Sequence, residues 1–123
     1  MNARHILAVI ASAAFVHGTV FAHEAPARHG GVVRTVNDLQ YELVQQGPDA
    51  LIYIDNHGKT VPTAGMTGNL VVLQGAEKTE FKLEPTGENQ LAAKGAKAGS
   101  GAKAVAVINA PKAKAVTVRF VVK

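Results

Sequence analysis

Histidines near the N-terminus are the side chains of this chain whose type and spacing best suit metal chemistry. If a peptidase cuts after Ala22, His23 becomes the first residue, and its α-amine and ring nitrogen can chelate one ion together. The α-amine has a reference pKa of about 7.7–8, and Cu²⁺, the divalent ion that nitrogen sites bind most tightly, can displace its proton. His29, at the start of His29-Gly30-Gly31, and Glu24 can add ligands by folding back. The alternative is an N-terminal segment that binds no metal.

Two further residues extend this candidate metal site. His57 lies in the turn Asp55-Asn56-His57-Gly58, where Asp55 can orient its ring as a second partner. Met66, between Gly65 and Gly68, offers a soft sulfur ligand for Cu(I). The alternatives are an exposed turn histidine and a methionine that packs in the core. The sequence thus predicts a metal site of His23, His29, His57 and Met66 for copper, as Cu²⁺, or zinc, with no certain cofactor.

Catalytic motifs are missing from the chain. Ser100 is the only serine after Ala22, and it has no nearby histidine to activate it. The glycine-rich run from Gly95 to Lys103 lacks the spacing of a phosphate-binding loop. Glu80 and Glu84 fall on the charged side of a strand pattern. The sequence therefore predicts a protein that is not an enzyme.

The N-terminus has the three parts of a secretory signal peptide, predicted to span residues 1–22. Arg4 and His5 form a polar start, and an apolar run from Ile6 to Val16 follows. Val20-Phe21-Ala22 predicts cleavage after Ala22. The apolar run is shorter than the roughly 20 residues of a membrane span, so we expect a periplasmic protein without stable membrane insertion after cleavage. The alternative is an uncleaved N-terminal anchor.

Charge is unevenly distributed along the 123 residues, whose net charge is +4. The stretch from Asn89 to Lys123 holds seven basic residues and no acid. It is interpreted either as a solvated face or as a basic surface for an acidic partner. The lysines stand among alanine and glycine without interleaved aromatic residues, so no nucleic-acid partner is expected.

Apolar side chains alternate with polar ones from Gly31 to the C-terminus. The period of two, with turns every 8–12 residues, predicts seven or eight short strands. The predicted fold class is all-β, an antiparallel β-sandwich with an immunoglobulin-like Greek key, and a small β-barrel is the alternative. Residues 31–123 form one domain after a flexible lead, 23–30. Tyr41 and Tyr53 are expected in the core, and Leu91–Lys103 as a flexible loop or a poorly packed strand end.

Five short segments carry a resemblance to known proteins: His29-Gly30-Gly31-Val32-Val33, Tyr41-Glu42-Leu43-Val44, Ile52-Tyr53-Ile54-Asp55, His57-Gly58-Lys59 and Lys82-Leu83-Glu84-Pro85. They resemble a group of small exported bacterial proteins that are encoded near heavy-metal efflux systems. The His-Gly-Gly opening with a following Glu-Leu-Val strand is also similar to N-terminal segments of periplasmic adaptor subunits of metal-exporting tripartite pumps. The resemblance implies a periplasmic β-sandwich connected with copper or zinc, and such an adaptor as a partner.

Two functional hypotheses follow. The first is a periplasmic metal-handling accessory protein that binds, buffers or delivers copper or a similar divalent ion, in the context of heavy-metal resistance. The alternative is a structural or interaction module that docks on an envelope or efflux-pump partner without binding metal, through a sheet edge or its basic C-terminal third.

Overall fold

Alternating side chains build an antiparallel sheet that closes almost into a barrel. The computed structural model describes residues 24–123, and these form nine strands and no helix. The strands are β1 (Val32–Val36), β2 (Leu39–Gln46), β3 (Asp49–Asn56), β4 (Lys59–Thr60), β5 (Thr67–Gln74), β6 (Glu77–Gly87), β7 (Gln90–Ala93), β8 (Lys103–Asn109) and β9 (Val116–Val121).

The strand order is β1-β2-β3-β7-β6-β5-β8-β9, with β4 paired to β3 outside this path. All pairings are antiparallel. The order β3-β7-β6-β5 is that of a Greek key, because the meander β5-β6-β7 returns its last strand to the side of β3. The two end strands, β1 and β9, contact each other, and the Arg34 Nε donates a hydrogen bond to the Arg119 carbonyl oxygen at 3.2 Å across this seam. The all-β prediction is confirmed, in the barrel-like form that was its alternative.

The core lies inside the barrel and combines a few large side chains with many alanines. Phe120 and Leu70 are fully buried, and a small residue of β8 lies opposite each of them: Ala104 opposite Phe120 and Ala106 opposite Leu70. Small and large residues complement each other in this way in narrow barrels. The larger buried apolar residues of the core are Tyr41, Leu43, Ile52, Ile54, Leu70, Val72, Leu83, Leu91, Ile108, Val118 and Phe120.

One end of the barrel is closed by residues 94–102, which we call the closing segment. Its composition predicts a loop, but Ala96, Ala98 and Ala102 are buried in the core. The Gln45 side chain holds it in place: its Nε2 donates to the Ala96 carbonyl oxygen at 3.0 Å, and its Oε1 accepts from the Ala98 amide at 3.1 Å. The Asp49 carboxylate accepts from the Gly95 amide at 2.7 Å. Side-chain hydrogen bonds from β2 and β3 therefore order a segment whose composition alone suggests flexibility.

Candidate functional site

Residues 24–31, which we call the lead from here on, lie on the outer wall of the barrel and are held there by Glu42. They comprise the described part of the segment predicted as 23–30 together with Gly31. Even-numbered residues of β2 point outward, so the Glu42 carboxylate lies outside the core, yet it is only 5% exposed. It accepts three backbone hydrogen bonds: from Arg28 at 3.2 Å, from His29 at 2.8 Å and from Gly31 at 3.0 Å. Hydrogen bonds to an ionised acceptor are stronger than neutral ones. A single carboxylate thus fixes the conformation of the chain around His29.

The two glycines after His29 are required by this arrangement. Gly30 has φ +73°, a conformation that residues with a Cβ rarely adopt. At Gly31 a Cβ atom would overlap the carbonyl oxygen of Leu43 on the neighbouring strand. The His-Gly-Gly opening and the strand residue Glu42 therefore form one structural unit, although eleven positions separate Gly31 from Glu42.

The ring of His29 stacks on the ring of Tyr53. The ring centroids are 3.7 Å apart and the planes differ by 13°. Tyr53 lies opposite Glu42 in the register of β2 and β3, so both side chains are on the same outer face. Stacking uses the face of the imidazole, whereas its nitrogen lone pairs lie in the ring plane. The stack gives the His29 ring a defined position. Because His29 is exposed, the edges of its ring are available to a ligand.

A cleft of about 290 Å³ lies beside this stack and is lined by Glu42, Tyr53, Asp55 and His57 among others. Its polar groups are largely engaged with each other or with backbone. The Arg28 Nη1 donates to the carbonyl oxygen of Gly58 at 3.3 Å, which ties the lead to the β3–β4 turn. The Asp55 carboxylate accepts from the Asn89 Nδ2 at 3.4 Å. Asp55 is only 9% exposed, and this hydrogen bond gives its buried carboxylate a partner within the protein.

The predicted metal ligands are not assembled into one group. His57 is exposed in the β3–β4 turn with φ +47°, and its amide donates to the Gln40 Oε1 at 3.0 Å. Asp55, expected to orient His57, bonds Asn89 instead. The Met66 side chain packs against the core. Within residues 24–123 no three His, Asp or Glu side chains are placed so that they could hold a metal ion.

The predicted signal peptide, the predicted cleavage site and His23 lie outside the described residues. Glu24, the next residue along the chain, is bound to β1: its Oε2 accepts from the Thr35 hydroxyl at 3.0 Å, and its Oε1 is 3.7 Å from the Arg34 Nη1. Of the three predicted ligands within residues 24–123, His29 is the one that is exposed and has its ring held by a stacking contact.

Sequence reasoning missed the two residues that position His29. Glu42 was part of a strand motif without a role, and Tyr53 was expected in the core with Tyr41. Tyr41 is in the core, at 3% exposure, but Tyr53 points outward. The alternation of β3 could have indicated the outward position of Tyr53. Ile52 and Ile54 form the buried side of the strand, which leaves residue 53 on the other face.

No protein-family model matches this chain, and neither a curated protein nor a solved structure is significantly similar to it. The resemblance to exported metal-efflux proteins stays a prediction. Among residues 24–123 there is no helix with the length and hydropathy of a membrane span.

Proposed function

We propose that this protein is a non-catalytic, periplasmic metal-handling accessory protein that binds, buffers or delivers copper or a similar divalent ion. The observation that carries the proposal is the position of His29. Its backbone is fixed by Glu42, its ring rests on Tyr53, and the side chain is exposed. An imidazole held in this way loses less conformational entropy on binding an ion than one on a free peptide.

His29 supplies one nitrogen ligand, and the proposal takes the others from the processed N-terminus. Cleavage after Ala22 gives His23 a free α-amine next to its imidazole, and both are ligands that Cu²⁺ favours. A site with few protein ligands retains open coordination positions and exchanges its ion readily. That property suits buffering or delivery, and the adaptor subunit of a metal-exporting pump is the recipient that we propose.

The proposal is tested by copper titration of the processed protein with calorimetry and electron paramagnetic resonance. We expect His29→Ala to weaken Cu²⁺ binding by about tenfold, equivalent to about 1.4 kcal/mol, and to reduce the number of nitrogen hyperfine lines. His57→Ala is the matched control, since it also removes an exposed imidazole, and should leave both signals unchanged. No effect of His29→Ala would remove His29 from the site. An equal effect of His57→Ala would show that the ordered position of His29 gives it no advantage over another exposed imidazole.

A further inference from the structure

The outer face of β5 and β8 is unusually apolar for a sheet surface exposed to water. Both strands carry continuous apolar runs, Leu70–Leu73 and Ala104–Ile108. Exposed antiparallel strands ordinarily alternate apolar and polar residues, because only one face packs on the core. In these runs every second residue is buried in the core, and the residues between them remain partly exposed on the opposite face. The partly exposed residues are Val71, Leu73, Val105 and Val107.

The strand register joins these outer residues into one patch. Val71 lies directly opposite Val105, and the patch continues through Val107 and Leu73 on the same face. Val121 of β9, opposite Lys103 and diagonal to Val105, extends the patch towards the seam. Among residues 24–123 it is the one large apolar side chain that is exposed, at 49%. We call these five residues the valine face; none of them belongs to the hydrophobic core.

The lead covers the other side of the barrel and reaches only the Val121 edge of the valine face, where Ala25 and Ala27 line a cleft with Val121. On β1 to β3, the lead lies over the outer face and buries Glu42. The described residues place no comparable segment over β5 and β8. Contiguous exposed apolar surface with a polar rim is typical of interaction sites.

The rim of the valine face is basic. Cross-strand neighbours of the apolar residues on the same face are Lys78, Lys103 and Arg119, with Glu80 as the one acid among them. Lys82 lies opposite Asn69 and is paired with Glu84 at 3.2 Å. A second copy of this chain would bring two basic rims together, which opposes self-association. The five apolar residues include no aromatic side chain, and aromatic residues are the ones that anchor proteins at lipid surfaces.

We infer that the valine face is a docking surface for a protein partner with a flat apolar patch and an acidic rim. The short, β-branched side chains suit face-to-face packing against another sheet, where layers lie about 10 Å apart. The three basic neighbours, Lys78, Lys103 and Arg119, set the orientation and the rate of encounter. This inference does not depend on metal binding, since the valine face contains none of the proposed metal ligands.

The test uses the full processed chain with a photoreactive diazirine side chain in place of Val105, and irradiation of cells that produce it. The matched position is Lys114, exposed in the basic C-terminal third but outside any strand. We expect a protein adduct from position 105 that position 114 does not give. The captured protein is then purified and its binding measured by calorimetry.

With the purified partner, Arg119→Glu should weaken binding by about tenfold, and added salt should weaken it further. Lys114→Glu makes the same charge change away from the face and should have no effect. Val105→Thr, which preserves shape and strand propensity, should also weaken binding, and circular dichroism confirms that each variant is folded. Four results overturn the inference: no adduct, an adduct with a second copy of this chain, equal effects of Arg119→Glu and Lys114→Glu, or comparable binding to phosphatidylglycerol vesicles.

Discussion

Replacing Glu42 by glutamine should release the lead while the barrel remains folded. The carboxylate accepts three backbone hydrogen bonds, from Arg28, His29 and Gly31. Glutamine retains one oxygen and places an NH₂ group where the second oxygen was, so it turns a donor towards donors. The change is small in volume, and Glu42 points away from the core, so packing inside the barrel is preserved.

The size of the effect follows from what the released amides can do. Each hydrogen bond contributes about 1 kcal/mol net, and bonds to a charged acceptor somewhat more. A released lead regains hydrogen bonds to water and conformational freedom, which offsets part of the loss. We therefore expect Glu42→Gln to lower the free energy that holds the lead on the barrel by roughly 1–2 kcal/mol. This corresponds to about 5–30-fold faster amide exchange in the lead.

Amide hydrogen exchange measured by NMR at residues 28, 29 and 31 is the assay. Glu84→Gln is the control, because this strand glutamate is exposed and its carboxylate lies 3.2 Å from Lys82. The reasoning is refuted if Glu42→Gln leaves the three amides as protected as in the wild type. It is also refuted if core amides accelerate by the same factor, because the substitution would then act on the whole barrel.

Three further predictions concern the barrel. Gly31→Ala should lower the free energy of unfolding by about 2 kcal/mol, because its Cβ overlaps the carbonyl oxygen of Leu43; an unchanged urea midpoint would contradict the geometry. Gln45→Ala should free the closing segment and cost about 1–2 kcal/mol, with faster exchange there, whereas Gln46→Ala, an exposed neighbour, should not. Burial raises the pKa of Tyr41 above 10.0, so the unfolded chain ionises first, and stability should fall as pH rises beyond about 10. Tyr41→Phe should reduce this fall in urea titrations; an identical pH profile would refute the assignment.

The pattern of β6 shows which parts of the fold could be predicted from the sequence. Lys78, Glu80 and Lys82 alternate with Phe81 and Leu83, and the structure places the two groups on opposite faces as the period predicts. Alternation reports the environment of each side of a strand, which is local information. Closure into a barrel depends on how β1 meets β9, and the sequence pattern of single strands contains no signal for that contact.

Less of the candidate site could be predicted from the sequence, because it also depends on contacts between separate elements. His29 could be chosen because its residue type and its glycines are visible in the sequence. The role of Glu42 depends on a contact between the lead and β2, and that of Tyr53 on which side of β3 it occupies. The closing segment was missed because hydrogen bonds from Gln45 and Asp49, distant in sequence, order a glycine-rich stretch that looks flexible by composition.

Copper titration of the protein prepared with His23 as its first residue, compared with an unstructured peptide of residues 23–31, tests the central claim most directly. Both carry His23, its α-amine and His29, and only the protein holds His29 through Glu42 and Tyr53. The account predicts that the protein binds Cu²⁺ about tenfold more tightly than the peptide, because its ligand is already ordered. Equal dissociation constants would contradict it, since the fold would then contribute nothing to metal binding.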